Sequence, residues 1–417
     1  MTQATPGASS PPAHAKPRFF YGYAIVAASF LTLALIYGVR FSFGVFLKPM
    51  SEEFGWNRAM IAGAFSLSWI VEGSLTMFIG HFNDRFGPRL VITTLGFLAG
   101  ASYLLMSRVT ELWQLYLFCG LVGGASNIVF IPLTSTIARW FTRRRSMMTG
   151  FAISGIGIGA MVGPVLSANL ISSLDWRTAY VILGGAILAV VIIAAQFLRR
   201  DPAQVGQTAF GEAPTKQQQG RPDAAGFSLR EALRSRQFWL FFGMMFCLAF
   251  AFFSLQVHTF PYLSDRKLSP ATAAGVLAVI GAASIAGRGV LGMIGDRIGN
   301  ARAFILGFVL ITVSLVCLLT LTDTWALYLF AALLGIGYGN SSTQQAPLAA
   351  ALFGLKSHGL IFSAAGIGFT LGAALGPFLS GYIFDTTRAY RLAFLVCLGV
   401  AVLGLALNAI LRPLKSR

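Results

Sequence analysis

Gly80-His81-Phe82-Asn83-Asp84-Arg85-Phe86-Gly87 and Gly292-Met293-Ile294-Gly295-Asp296-Arg297-Ile298-Gly299 are two copies of one pattern, GxxxDRxG, 212 residues apart. Each copy closes an apolar run and opens another. Two further pairs keep nearly the same offset. Gly163-Pro164-Val165-Leu166-Ser167 is answered by Gly376-Pro377-Phe378-Leu379-Ser380, and Arg177-Thr178-Ala179-Tyr180 by Arg391-Leu392-Ala393-Phe394. Three matched features at constant spacing describe a chain whose second half repeats its first.

What repeats is apolar. The chain has 417 residues, of which 56% are hydrophobic and 11% charged, and its mean hydropathy is +0.73. A soluble domain carries roughly 25% charged residues. A spanning helix needs about 20 mostly apolar residues. Twelve such runs can be read: 20–47, 58–79, 89–107, 112–137, 147–172 and 178–198, then 238–262, 270–294, 301–321, 326–350, 357–383 and 390–411. The predicted fold is therefore an all-α membrane protein with 12 transmembrane helices in two pseudo-symmetric six-helix bundles. Residues 1–17 predict a disordered cytoplasmic tail rather than a cleaved signal peptide. An N-terminal bundle is expected over 18–198, a cytoplasmic linker over 199–236 and a C-terminal bundle over 237–417. The linker's tail, Leu229 to Phe238, mixes Leu and Arg at helical spacing and predicts a short surface helix.

The formal charge of +17 has a topological reading. With the N-terminus inside, 21 of the 31 Lys and Arg fall on inside segments and 8 on outside ones. That bias puts both termini in the cytoplasm of a multi-pass cell-membrane protein (the inner membrane, in a bacterium). It leaves no basic face for nucleic acid; the partners expected are lipid headgroups. The four cysteines lie inside apolar runs without metal-ligand spacing, so they read as packing residues, and no metal or cofactor is expected. No nucleotide loop, HExxH or GxSxG is present, which argues against an enzyme. A duplicated six-helix unit points instead to a carrier with its substrate path between the halves. A membrane sensor built on a transporter scaffold is the reading from another class.

The GxxxDRxG loop with Pro88-Arg89 behind it resembles the loop signature of the major facilitator superfamily. Its Asp84-Arg85 and Asp296-Arg297 pairs would latch the cytoplasmic side. The segment from Trp140-Phe141-Thr142-Arg143-Arg144-Arg145 to Gly150-Phe151-Ala152-Ile153-Ser154-Gly155 resembles the helix 4–5 loop of monocarboxylate transporters. Gly22-Tyr23-Ala24-Ile25-Val26 resembles their entry to helix 1, without its acidic residue. Oxalate/formate exchangers are the other related family. The resemblance implies transport of small monocarboxylates of the lactate, pyruvate and acetate class by a monomer, with proton symport, or alternatively carboxylate exchange.

Charges at bilayer depth are functional candidates by default. Arg288, in Gly281–Gly289, is the candidate substrate-binding residue, because a guanidinium can hold a carboxylate through two parallel hydrogen bonds. Both related families place an Arg there. Where animal-type monocarboxylate transporters carry an Asp four residues earlier, this chain has Ser284, which cannot relay a proton but could bond substrate. Arg40 lies within one residue of the family's helix-1 Lys, and gating, anion guidance or snorkelling to the interface are open to it. Exchangers of dianions carry a helix-11 Lys; Ala365 stands there, and no charge is read in helix 11, which favours a monoanion. Gly150, Gly159, Gly163 and Pro164 partly fit an exchanger signature in helix 5. Glu72 and His258 are proton-coupling candidates, each with packing as the alternative. Asn127, Tyr338 and Asn340 are candidate cavity-lining groups.

Overall fold

The computed structural model describes residues 20–126, 129–141, 144–211, 226–291, 298–321, 323–354 and 356–411, excluding the side chains of 76–84, 126, 131, 145–146 and 290–291. Asn127, Asp296 and Arg297, and the side chain of Asp84, lie outside the described residues.

The first half contains α1 (Gly22–Phe41), α2 (Phe43–Phe54), α3 (Arg58–Met106), α4 (Leu112–Ser126), α5 (Phe130–Trp140), α6 (Arg145–Ser173) and α7 (Trp176–Gln196). The second contains a five-residue α8 (Leu229–Leu233), α9 (Arg236–Asp265), α10 (Pro270–Ala286) continued by a π turn (Gly287–Leu291), α11 (Asn300–Thr320), α12 (Thr324–Phe353), α13 (His358–Thr387) and α14 (Arg391–Ile410). Among the described residues, nine segments are long and apolar enough to cross a membrane. Several of the expected runs join or divide. The first run breaks after Phe41 into α1 and α2, and the second and third are one rod, α3, interrupted at Gly87. The surface helix ends at Leu233, because Ser235 caps a new helix with its hydroxyl on the Phe238 amide.

The closing glycines of the two repeat copies share a conformation. Gly87 (φ 79°) and Gly299 (φ 90°) both adopt positive φ, where a side chain would be strained, and each hands over to the next helix. The other matched pair also does one job twice. A Cβ on Gly163 would strike the backbone of Gly38 in α1, and one on Gly376 would strike the Phe250 carbonyl of α9. In both halves, then, the fifth span lies directly on the backbone of the first. The third span packs on the sixth in each half, α3 on α7 and α11 on α14.

The halves meet where α3 packs on α13, α6 on α10, and α2 on α9. Gly281 of α10 touches the Ala160–Met161 backbone of α6, so the seam is narrow there. The connecting segment is anchored at both ends. The Phe210 amide donates to the Trp140 carbonyl at 2.9 Å, and the Phe227 amide to the Phe353 carbonyl at 2.8 Å. Below, the face at which α1 begins is the N-terminal face, and the opposite one is the distal face.

Candidate functional site

Arg288 sits on the π turn that ends α10. Small residues make that position possible. Gly287 and Gly335 let α10 and α12 approach until a Cβ on either would meet a carbonyl of the other helix. The guanidinium lies within Coulombic reach of Tyr338 on α12 and of Tyr37 on α1, that is, of both halves at once. Its Nη1 is buried and has no hydrogen-bond partner among the described residues. Among the described residues, no carboxylate forms an ion pair with it.

Arg40 and Glu72 come together. Arg40 Nη2 donates to Glu72 Oε2 at 2.9 Å, with side-chain exposures of 3% and 13%. The guanidinium carbon lies 4.2 Å from the Trp69 ring centroid and 5.7 Å from that of Phe65. Arg40 therefore does not snorkel to an interface; a carboxylate and two ring faces hold it inside the first half. The void beside it, about 20 Å³, is too small for a carboxylate ion. Glu72 is thus the partner of Arg40 rather than of Arg288.

Tyr338, on α12, lies within electrostatic reach of Arg288. Its ring stacks on Phe252 at 3.5 Å, and Phe253 carries the aromatic wall on to Trp69 (4.5 Å) and Phe369 (5.9 Å). Asn340, two residues on, faces the other way: its amide donates to the Ala303 carbonyl of α11 at 2.6 Å. Ser284 is buried, and its hydroxyl donates to the Gly281 carbonyl of its own helix at 2.7 Å. Among the described residues, neither side chain hydrogen-bonds to Arg288. Tyr37 is the residue that sequence reading passed over. It lies within electrostatic reach of Glu72, Arg40, Tyr338 and Arg288 together. Its spacing was the available signal: Tyr37 precedes Arg40 by three, one turn along the same face, as Trp69 precedes Glu72.

His258 belongs elsewhere, to a network that joins the halves at the distal face. Arg58, at the start of α3, pairs with Asp265 at the end of α9 (2.7 Å) and donates to the Tyr390 hydroxyl (2.7 Å). Its guanidinium carbon stands 3.9 Å from the Phe384 ring centroid. Asp385 accepts the backbone N–H groups of Arg58 (3.0 Å) and Ala59 (2.8 Å), capping α3 from across the seam. It corrects the reading of helix 11 as free of charge, because α13 runs to Thr387 rather than 383. His258 Nδ1 lies 3.0 Å from the Tyr390 hydroxyl, and Nε2 lies 2.8 Å from the Pro377 carbonyl. A carbonyl only accepts, so Nε2 carries the proton. A neutral ring then completes the chain, with Tyr390 donating to Nδ1 and accepting from Arg58. The Ser66 hydroxyl, on the Ala374 carbonyl, and Gln256 Nε2, on the Phe41 carbonyl at 3.1 Å, add bonds between the halves. At the N-terminal face, Arg85 lies over the Phe86 ring at 5.3 Å.

Two overlapping matches, over residues 29–301 and 276–417, are to the family model of the Major Facilitator Superfamily. Monocarboxylate transporter 13 of Rattus norvegicus is 28% identical over 383 residues, 90% of this chain and 85% of that protein. Monocarboxylate transporter 11 of Homo sapiens is 29% identical over 409 residues, 95% and 83% of the two chains. The oxalate:formate antiporter of Oxalobacter formigenes is 25% identical over 413 residues, 96% and 93%. Among solved structures, a bacterial homologue of the human lysosomal transporter Spinster, inward-facing and occupied, superposes with a TM-score of 0.76 at 15% identity, covering 95% of this chain and 97% of that one. At that identity the likeness concerns the fold.

Proposed function

The chain belongs to the major facilitator superfamily, and from that premise we propose that it carries small monocarboxylates across the membrane by alternating access, in symport with a proton. The observation that carries this reading is the enclosed, unpartnered Nη1 of Arg288 at the seam between the halves. A buried guanidinium N–H left without an acceptor is costly unless an anion completes it. Tyr37 and Tyr338 stand within electrostatic reach of that guanidinium, and the rings of Phe252 and Phe253 beside Tyr338 offer an apolar surface for a short tail.

Charge argues for a monoanion. Arg40 is already neutralised by Glu72, so Arg288 brings one net positive charge to the cluster. A dianion would bury a second negative charge without a partner. Ala365, fully buried on α13, offers none. The same pair supports proton coupling. Protonating Glu72 releases the charge of Arg40, and an arriving carboxylate restores the balance, so proton and anion travel together without net charge. The termini and the 199–236 linker lie in the cytoplasm of a monomer on this reading. Exchange is the second reading, favoured by the similarity to the oxalate:formate antiporter.

The test is uptake of labelled lactate, pyruvate and acetate into proteoliposomes, with and without an inward proton gradient. Arg288→Ala should abolish saturable uptake and Arg288→Lys should weaken it, with the fold kept. Unchanged uptake in Arg288→Ala would remove that residue from the site. Uptake that ignores the proton gradient but requires internal anion would establish exchange instead.

A further inference from the structure

We propose that a basic pocket at the N-terminal face binds the headgroup phosphate of an anionic phospholipid. The pocket, about 350 Å³, lies where the α3 rod breaks at Gly87 and α7 ends. Four guanidiniums line it, those of Arg85, Arg89, Arg199 and Arg200, over a floor that includes the buried Leu198.

Neutral groups orient two of these arginines. Arg89 donates to Gln196 Oε1 from Nε (2.9 Å) and Nη2 (2.6 Å). Arg199 Nη1 donates to the Gln196 (2.7 Å) and Leu198 (3.1 Å) carbonyls. Carbonyl and amide oxygens fix a guanidinium without cancelling its charge. Among the described residues, the carboxylate beside the pocket is Asp201, 3.7 Å from Arg200 and shared with Arg139 at 3.4 Å. Among the described residues, positive charge at the pocket therefore exceeds negative and two of the guanidiniums are held in place, the arrangement that a phosphate diester completes.

The surroundings select a lipid over a soluble phosphate. Leu90 and Phe97, seven residues apart beyond the break, are exposed on one stripe of α3, and Ile193 and Phe197 on one of α7; Phe86 is exposed on the other side of the break. Both stripes begin within a few residues of the pocket-lining Arg89 and Leu198 and lie on helices long and apolar enough to cross a membrane, so acyl chains would lie along them. If the N-terminal face is cytoplasmic, the headgroup belongs to the inner leaflet, whose anionic lipids attract basic clusters.

The test uses the purified, delipidated full chain in neutral detergent. Native mass spectrometry and thermal unfolding are compared for phosphatidylglycerol, phosphatidylcholine and sodium phosphate. Phosphatidylglycerol should bind at least tenfold more tightly than phosphatidylcholine, and sodium phosphate at matched concentration should not reproduce its thermal shift. Each arginine removed should weaken binding about fivefold, so Arg85→Gln with Arg89→Gln should cost more than tenfold while the Lys pair retains most of it. Equal binding of the two lipids by the unaltered chain would overturn the proposal without any variant. So would undiminished phosphatidylglycerol binding by the Gln pair. A shift from sodium phosphate equal to that from lipid would overturn the lipid as the source.

Discussion

Replacing Asp385 with Asn should open the distal face. The carboxylate takes two backbone amides at the first turn of α3, at 3.0 and 2.8 Å, from a helix in the other half. Asn keeps one acceptor oxygen and loses the charge. A hydrogen bond to a charged group is worth about 1.5–3 kcal/mol, and a negative charge at a helix N-terminus about 0.3–1 kcal/mol. Losing one bond and the charge should cost the closed arrangement about 2 kcal/mol, which multiplies the open population roughly thirtyfold. Ser66 reports the change, because its buried hydroxyl bonds across the same seam. A Ser66→Cys variant would be labelled by a membrane-impermeant thiol reagent with and without Asp385→Asn. Labelling should accelerate by one to one and a half orders of magnitude, over a background set by the native cysteines. An unchanged rate in a folded protein would show that the Asp385 cap does not hold this face shut.

Three further outcomes follow from individual contacts in the structure. Glu72→Gln leaves Arg40 buried and uncompensated and should cost about 3 kcal/mol; adding Arg40→Met should restore most of it in detergent thermal unfolding, and a stable single variant would contradict the pairing. Gly339→Val drives a side chain into the Ser284 carbonyl of α10, so it should destabilise by about 1–3 kcal/mol, read from the same melts. Asp175 caps α7 by accepting the Thr178 amide at 2.8 Å, and the Thr178 amide and hydroxyl hold its carboxyl below the usual range. Asp175→Ala should therefore cost at most about 1 kcal/mol at neutral pH, less for its exposure to solvent. Because the folded carboxyl titrates lower than the unfolded one, that difference should be full above the ordinary aspartate range and vanish as pH falls through the folded value.

The pieces legible in the sequence were those with a period or a fixed offset. Apolar runs and the repeated GxxxDRxG gave the architecture, because a bilayer imposes span length and duplication copies the turns. Arg288 was legible because charge at depth is costly. The pairing of Arg40 with Glu72 was not, since both are single charges on separate helices and rotation about each axis decides who meets whom. Asn340 and Tyr338 show the same limit. Two residues apart, they point to different neighbours, α11 and the Phe252 ring, and composition treats them alike. The Arg58–Asp265–Asp385–Tyr390 network was invisible for another reason. Its members sit at helix ends, where a few residues of extra helix bring Asp385 inside the last turn.

The anchoring of the connecting segment has a mechanical consequence. With Phe210 pinned to Trp140 and Phe227 to Phe353, the covalent link between the anchor points is the stretch between those two residues rather than the whole polar region. Fully extended, it reaches roughly 55–60 Å, far beyond what a rocking motion asks of it. Because the noncovalent seam joins the halves along α3–α13, α6–α10 and α2–α9, a chain nicked within that link should still close and open as one machine.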